Sequence, residues 1–103
     1  MNLQITFKHM DASEAIKFYT REKTAKLEKY FDGRISVVWS FIVEKKDHVA
    51  HCHLKGGNMD YFGEATTPDL HQSIDHAIER IETQLRRHKE IVTAHKHGAR
   101  SAG

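Results

Sequence analysis

The chain has 103 residues, with 16 Lys and Arg against 14 Asp and Glu, nine His, one Cys and a formal charge of +2. At 39% hydrophobic and 29% charged residues it is expected to fold as one domain with a modest core, which excludes wholesale disorder. No run approaches the roughly 20 apolar residues of a membrane span, no secretory leader opens the chain, and a lone Cys52 excludes an internal disulfide, so a soluble protein of the reducing cytoplasm is expected.

Leu3, Ile5 and Phe7 alternate with Gln4, Thr6 and Lys8, which predicts a half-buried strand over residues 2–8. Asp11-Ala-Ser-Glu14 offers a capping box, so a first helix is predicted from there to about Phe31, where Asp32-Gly33 stops it. Its apolar stripe is Ile16, Tyr19, Leu27, Tyr30 and Phe31, and Phe18 falls on the polar side. Residues 34–44 alternate over Ile35, Val37, Trp39, Phe41 and Val43, the clearest strand pattern of the chain. After a polar turn at Lys45-Lys46-Asp47, residues 48–55 read as a third strand, with Ala50, Cys52 and Leu54 on one face and Val49, His51, His53 and Lys55 on the other. Gly56-Gly57-Asn58 signals a hairpin into a fourth strand over 59–66. Thr67 as cap and Pro68 as first residue then predict a second helix, whose Leu70, Ile74, Ala77, Ile78, Ile81 and Leu85 follow the helical period to an expected end near Val92. Residues 1–92 form the domain in this reading, and residues 93–103 form a mobile basic tail.

The order β-α-β-β-β-α, with a right-handed crossover through the first helix, places the first two strands parallel and adjacent. The remaining strands follow as an antiparallel meander. One apolar stripe per helix puts both helices on one face of a four-stranded mixed sheet and leaves the other face open, giving a two-layer α+β fold.

Charge is uneven on the second helix. Arg80 and Arg87 share one edge with His76 and Gln84, while Asp75, Glu79, Glu82 and Glu90 occupy the opposite flank. From Thr83 onward five bases stand against one acid. On the first helix Lys23 and Lys26 border the apolar stripe, where their stems can lie on the core. These edges are candidates for a joint phosphate-binding patch, although spacing alone fits an ordinary solvated helix surface better.

The chain to about Lys89 resembles the ribosome hibernation promoting factor family. The resemblance is carried by Leu3-Gln-Ile-Thr, Ala25-Lys-Leu-Glu-Lys-Tyr-Phe-Asp32, Val43-Glu-Lys45, His48, the Gly-Gly hairpin, Asp69-Leu with Ser73-Ile-Asp75, Gln84-Leu85 and Arg87-His-Lys89, in their order and spacing. It implies a non-enzymatic, cofactor-free cytoplasmic protein that binds the small ribosomal subunit and its rRNA in the channel for messenger and transfer RNA. Such a protein blocks translation and, with a second small dimerisation factor, promotes inactive ribosome dimers. The family's RNA-facing bases correspond here to Lys23, Lys26, Arg80, Arg87 and Lys89. Two positions depart from the pattern: Thr83 stands where a base is usual, and Thr24 stands where a large apolar residue is usual, which implies a thinner core contact for the first helix.

Other readings compete. His51-x-His53 places two imidazoles on one strand face at about 7 Å, but nothing in the spacing completes a metal site, and His95-x-His97 lies in the tail. His76 and His88 are candidates for charging near pH 6. No phosphate loop, nucleophile elbow or carboxylate pair points to catalysis, and Cys52 reads as a buried small residue. The alternative function is a protein-interaction module built on the open sheet face, where Val38, Ile42, Val49 and Phe62 would form an apolar patch.

Overall fold

Alternating side chains in four segments build one sheet. β1 (Asn2–Lys8), β2 (Ser36–Glu44), β3 (Asp47–Gly56) and β4 (Met59–Thr67) lie side by side in chain order. The first pair is parallel and the next two pairs are antiparallel. This computed structural model describes the backbone of residues 1–102 and the side chains of residues 1–90. Two-residue turns close both hairpins, with positive φ at Lys45 and Gly57; at Gly57 the residue without a Cβ meets that conformation at no steric cost.

The inward set of β2 and β3, Val37, Trp39, Phe41, Ala50, Cys52 and Leu54, is buried together with Leu70, Ile74, Ala77, Ile81 and Leu85 of α2 (Leu70–Ala102). α1 (Glu14–Ala25) adds Ile16 to the same cluster, and a 3-10 turn at Lys26–Tyr30 adds Leu27. Both helices therefore lie on one face. Each large side chain enclosed there is worth about 1.5–3 kcal/mol relative to exposure. Gly63 sets the distance between layers: a Cβ there would stand 2.5 Å from the Ala77 carbonyl oxygen, so α2 packs directly on the β4 backbone.

Four helix boundaries differ from expectation. The first helix is capped by Ser13, whose hydroxyl accepts the Ile16 N–H, because Asp11 and Ala12 precede the first helical turn. Its last turn tightens to 3-10 after Ala25. There, residues three apart eclipse, so Leu27 and Tyr30 line up toward α2. The second helix is capped by Asp69, which receives the His71 N–H on its carboxylate and the Ser73 N–H on its carbonyl. It begins at Leu70 rather than Pro68; Thr67 is still paired with His48 in the sheet, and its hydroxyl accepts the Asp69 N–H at 3.1 Å. At the other end α2 runs to Ala102 instead of stopping near Val92; no proline interrupts that segment, and Gly98 alone is a weak stop. The 92/93 division thus falls inside a helix, and the tail side chains expected to be mobile lie outside the described residues.

Two core expectations also change. Thr24 is fully buried, and its hydroxyl accepts the Trp39 Nε1–H at 3.0 Å while donating to the Thr20 carbonyl at 2.6 Å. Thr20 makes the same backward bond to Ile16. The missing apolar bulk is thus replaced by a hydrogen-bonded partner for the indole, which would otherwise be a costly unpaired donor. Val49, expected in an exposed patch, is buried, flanked on the open face by its cross-strand partners Ile42 and Thr66.

Candidate nucleic-acid interface

α2 presents two different flanks beside its core stripe. Arg80, Gln84 and Arg87 step by four and three residues along the flank nearest the β4 edge. The Gln84 amide fixes that placement: Nε2 donates to the Phe62 carbonyl of β4 at 2.7 Å and to the Arg80 carbonyl at 3.0 Å. Both arginines are exposed, and neither is within 4 Å of a carboxylate among the described residues. His76, on the same side, stands near its own Glu79 at 3.8 Å.

The other flank faces α1. Asp75 accepts the Tyr19 hydroxyl at 2.6 Å and holds the Lys23 ammonium at 3.6 Å, while Lys23 also lies over the Tyr19 ring. One turn pair further along, Glu82 accepts the Tyr30 hydroxyl at 3.0 Å. The Tyr19 phenol is pushed up to about 12, first by burial and then by the bond to Asp75 and its negative charge. These bonds tie the two helices together through groups whose charge is met within the protein.

The five residues singled out by sequence therefore divide. Arg80 and Arg87 share the β4-side flank as expected. Lys23 and Lys26 border α2 on its other side, with the carboxylates of Asp75 and Glu82 between the two sets. Lys89 continues the line of Asp75 and Glu82 at seven-residue steps and lies about 200° around the helix from Arg87, so it belongs with the α1 side. A single joint patch is replaced by two basic edges separated by an acidic seam. Lys26, Arg87 and Lys89 are exposed, and Lys23 keeps 31% of its side chain accessible. Thr83, the uncharged departure, turns its hydroxyl back onto the Glu79 carbonyl.

Two functional features escaped the sequence reading. One is the restraint of Lys23 by Asp75, 52 positions away, which no local pattern encodes. The other is an aromatic arrangement on the open sheet face, where Phe62 stacks on His53; the alternation had placed both residues there without linking them. Among the described residues no group of three or more His, Cys, Asp or Glu is placed to hold a metal ion, and His53 engages Asp60. Cys52 is buried, and burial pushes its thiol up to about 12, away from nucleophilic character at neutral pH. No helix among the described residues is long and apolar enough to cross a membrane.

Comparison with known proteins connects this geometry to a family. Residues 3–93 match the model of the "Sigma 54 modulation protein / S30EA ribosomal protein" family. The ribosome hibernation promoting factors of Salmonella typhimurium and Escherichia coli K12 are each 36% identical over 98 residues, covering 92% of this chain and all of theirs. The crystal structure of the Thermus thermophilus Protein Y N-terminal domain superposes with a TM-score of 0.80 at 27% identity, over 84% of this chain and 98% of that one. A ribosomal subunit interface protein from Coxiella burnetii shares the fold, with a TM-score of 0.75 at 24% identity, over 87% and 99% of the two chains. By sequence over nearly its whole length and by the same β-α-β-β-β-α architecture, the chain belongs to the family of S30EA ribosomal proteins and ribosome hibernation promoting factors, which are ribosome-associated factors.

Proposed function

We propose that this protein is a cytoplasmic, non-enzymatic hibernation factor that occupies the messenger and transfer RNA channel of the small ribosomal subunit, inhibits translation and promotes inactive ribosome dimers with a second small factor. The observation that carries the reading is the Arg80–Gln84–Arg87 flank. Its guanidinium groups have no described carboxylate partner, and its middle residue is bonded to the sheet, so two cations are presented on a fixed support. Guanidinium forks on a rigid helix suit phosphate oxygens of folded RNA, which is recognised mostly by backbone and shape. Lys26 and Lys89 supply a second, looser edge across the acidic seam, and Lys23 joins it when released from Asp75.

Sedimentation of purified ribosomes and separated subunits with the protein, at two salt concentrations, tests this reading. Salt-sensitive co-sedimentation with the small subunit is expected, together with a paired-ribosome peak when the second factor is added. Absence of co-sedimentation at low salt would overturn it.

A further inference from the structure

The helix layer leaves the opposite face of the sheet uncovered, and one part of that face has a specific construction. Register places Val38, His53 and Phe62 in one row across β2, β3 and β4. Phe62 is 52% exposed, the largest hydrophobic side chain on this face to remain so open, and Val38 at the other end of the row is 36% exposed. The His53 ring lies parallel to Phe62, with centroids 4.0 Å apart and planes 12° from each other, and His51 leans on the same ring at 5.5 Å. Asp60 fixes the imidazole of His53 from the side. An exposed phenyl ring held in one orientation by a neighbour stacked on one of its faces offers the other face as a preorganised aromatic platform.

The platform is continuous with the basic flank. Phe62 belongs to the β4 edge strand, and its own carbonyl receives the Gln84 amide from between Arg80 and Arg87. An RNA strand rounding that edge would have its phosphates beside the arginines and a base over Phe62. Charge argues for the same direction of travel: Asp60 and Glu64, two residues either side of Phe62 on the same face of β4, disfavour phosphate beside the ring, while the flank of α2 favours it. We infer that the Phe62–His53 stack beside the β4 edge is a stacking site for an unpaired nucleobase of single-stranded ribosomal RNA whose phosphates follow Arg80 and Arg87. This rests on the proposed ribosome binding and adds to it a contact made by the sheet.

The test uses the whole chain and a short oligoadenylate as probe. Titration is expected to shift the ring resonances of Phe62 and His53, and Phe62→Ala is expected to weaken oligonucleotide binding by about tenfold, whereas Phe62→Tyr retains it. The salt dependence should persist in Phe62→Ala and diminish in Arg80→Glu/Arg87→Glu, since stacking releases no counterions. On ribosomes Phe62→Ala should sediment more weakly than the parent, with unchanged thermal unfolding. Unmoved rings and an oligonucleotide affinity equal to the parent's would overturn the inference while leaving ribosome binding intact. Loss of ribosome binding in Phe62→Ala without any response to the oligonucleotide would also overturn it, and would assign the face to a protein partner. Failure of the parent chain to sediment with ribosomes would remove the reading beneath the inference, an outcome recognisable without the variant.

Discussion

The two flanks of α2 differ in where their charges are met. On the α1 side, carboxylates receive two tyrosine hydroxyls and a lysine, so the electrostatics of that flank serve to hold one helix against the other. On the β4 side, an uncharged glutamine makes the structural bonds, leaving the neighbouring arginines without a described partner. Helix attachment and outward charge are thus assigned to different flanks of one helix. A base counts toward RNA binding according to what its own protein already offers it, which composition does not reveal.

The largest effect is expected where charge is unmet. Arg80→Glu/Arg87→Glu should weaken ribosome binding on the order of 100-fold, from two lost charge-assisted bonds, and should flatten the dependence on salt, read by sedimentation or anisotropy across a salt series. Unfolding should be almost unchanged, because both side chains are exposed. Full binding in this variant would break the comparison at its stronger end.

Next in size is a change that touches neither flank. Thr24→Val keeps the shape but leaves the Trp39 N–H buried without an acceptor, at a cost of about 1–3 kcal/mol. Urea unfolding should report that loss, Thr24→Ser should recover most of it, and ribosome affinity under folding conditions should match the parent. A loss of affinity with no loss of stability would place Thr24 in the interface and contradict its burial.

Thr24 also shows how much was legible beforehand. Strand alternation and the period of α2 fixed the sheet order, the helix face and most of the core, because burial repeats at the spacing of each element. Thr20 and Thr24 did not read as core, since a threonine signals burial only when its hydroxyl has a partner, here the preceding turn or an indole 15 positions on. Caps misread for a related reason: several hydroxyl and carboxylate residues precede each helix, and spacing alone does not say which one stands immediately before the first helical turn. At the candidate site, Arg80 with Arg87 was readable because helical spacing alone joins them. Lys89 joins them only through the family resemblance, and two residues carry it to the other side of the helix. The restraint of Lys23 by Asp75 exists only once the helices are packed.

That restraint predicts a weaker response from the α1 side. Lys23→Glu/Lys26→Glu should cost about tenfold in ribosome affinity, less than the arginine pair, because the Lys23 charge is already shared with Asp75. An effect equal to that of the arginine pair would show that RNA competes Lys23 away from its carboxylate.

The smallest effect isolates the carboxylate itself. Asp75→Asn removes the negative charge while keeping a hydrogen-bond acceptor for Tyr19, so Lys23 is freed and ribosome binding should tighten by about two- to threefold, within the range of one exposed ion pair. The Tyr19 phenol, now near 12, should fall toward 10 without reaching it, because burial, the leading cause of its shift, remains. The direction of the stability change follows from the proton count. A phenol that ionises later in the folded chain than in the unfolded chain favours folding fully below about 10, and that contribution is lost as pH rises toward 12. Cys52, also raised to about 12, adds to the same alkaline decline in both proteins, so the difference between parent and variant reports only the contacts of Asp75, and the tyrosinate signal separates out Tyr19. Tyrosinate absorbance, with Tyr30→Phe and Tyr61→Phe backgrounds to assign the curve, should titrate earlier in Asp75→Asn, and the alkaline decline in stability should be shallower. An unmoved Tyr19 titration together with unchanged ribosome affinity would show that Asp75 neither polarises the phenol nor restrains the lysine, and the contrast between the flanks would then rest on the arginines alone.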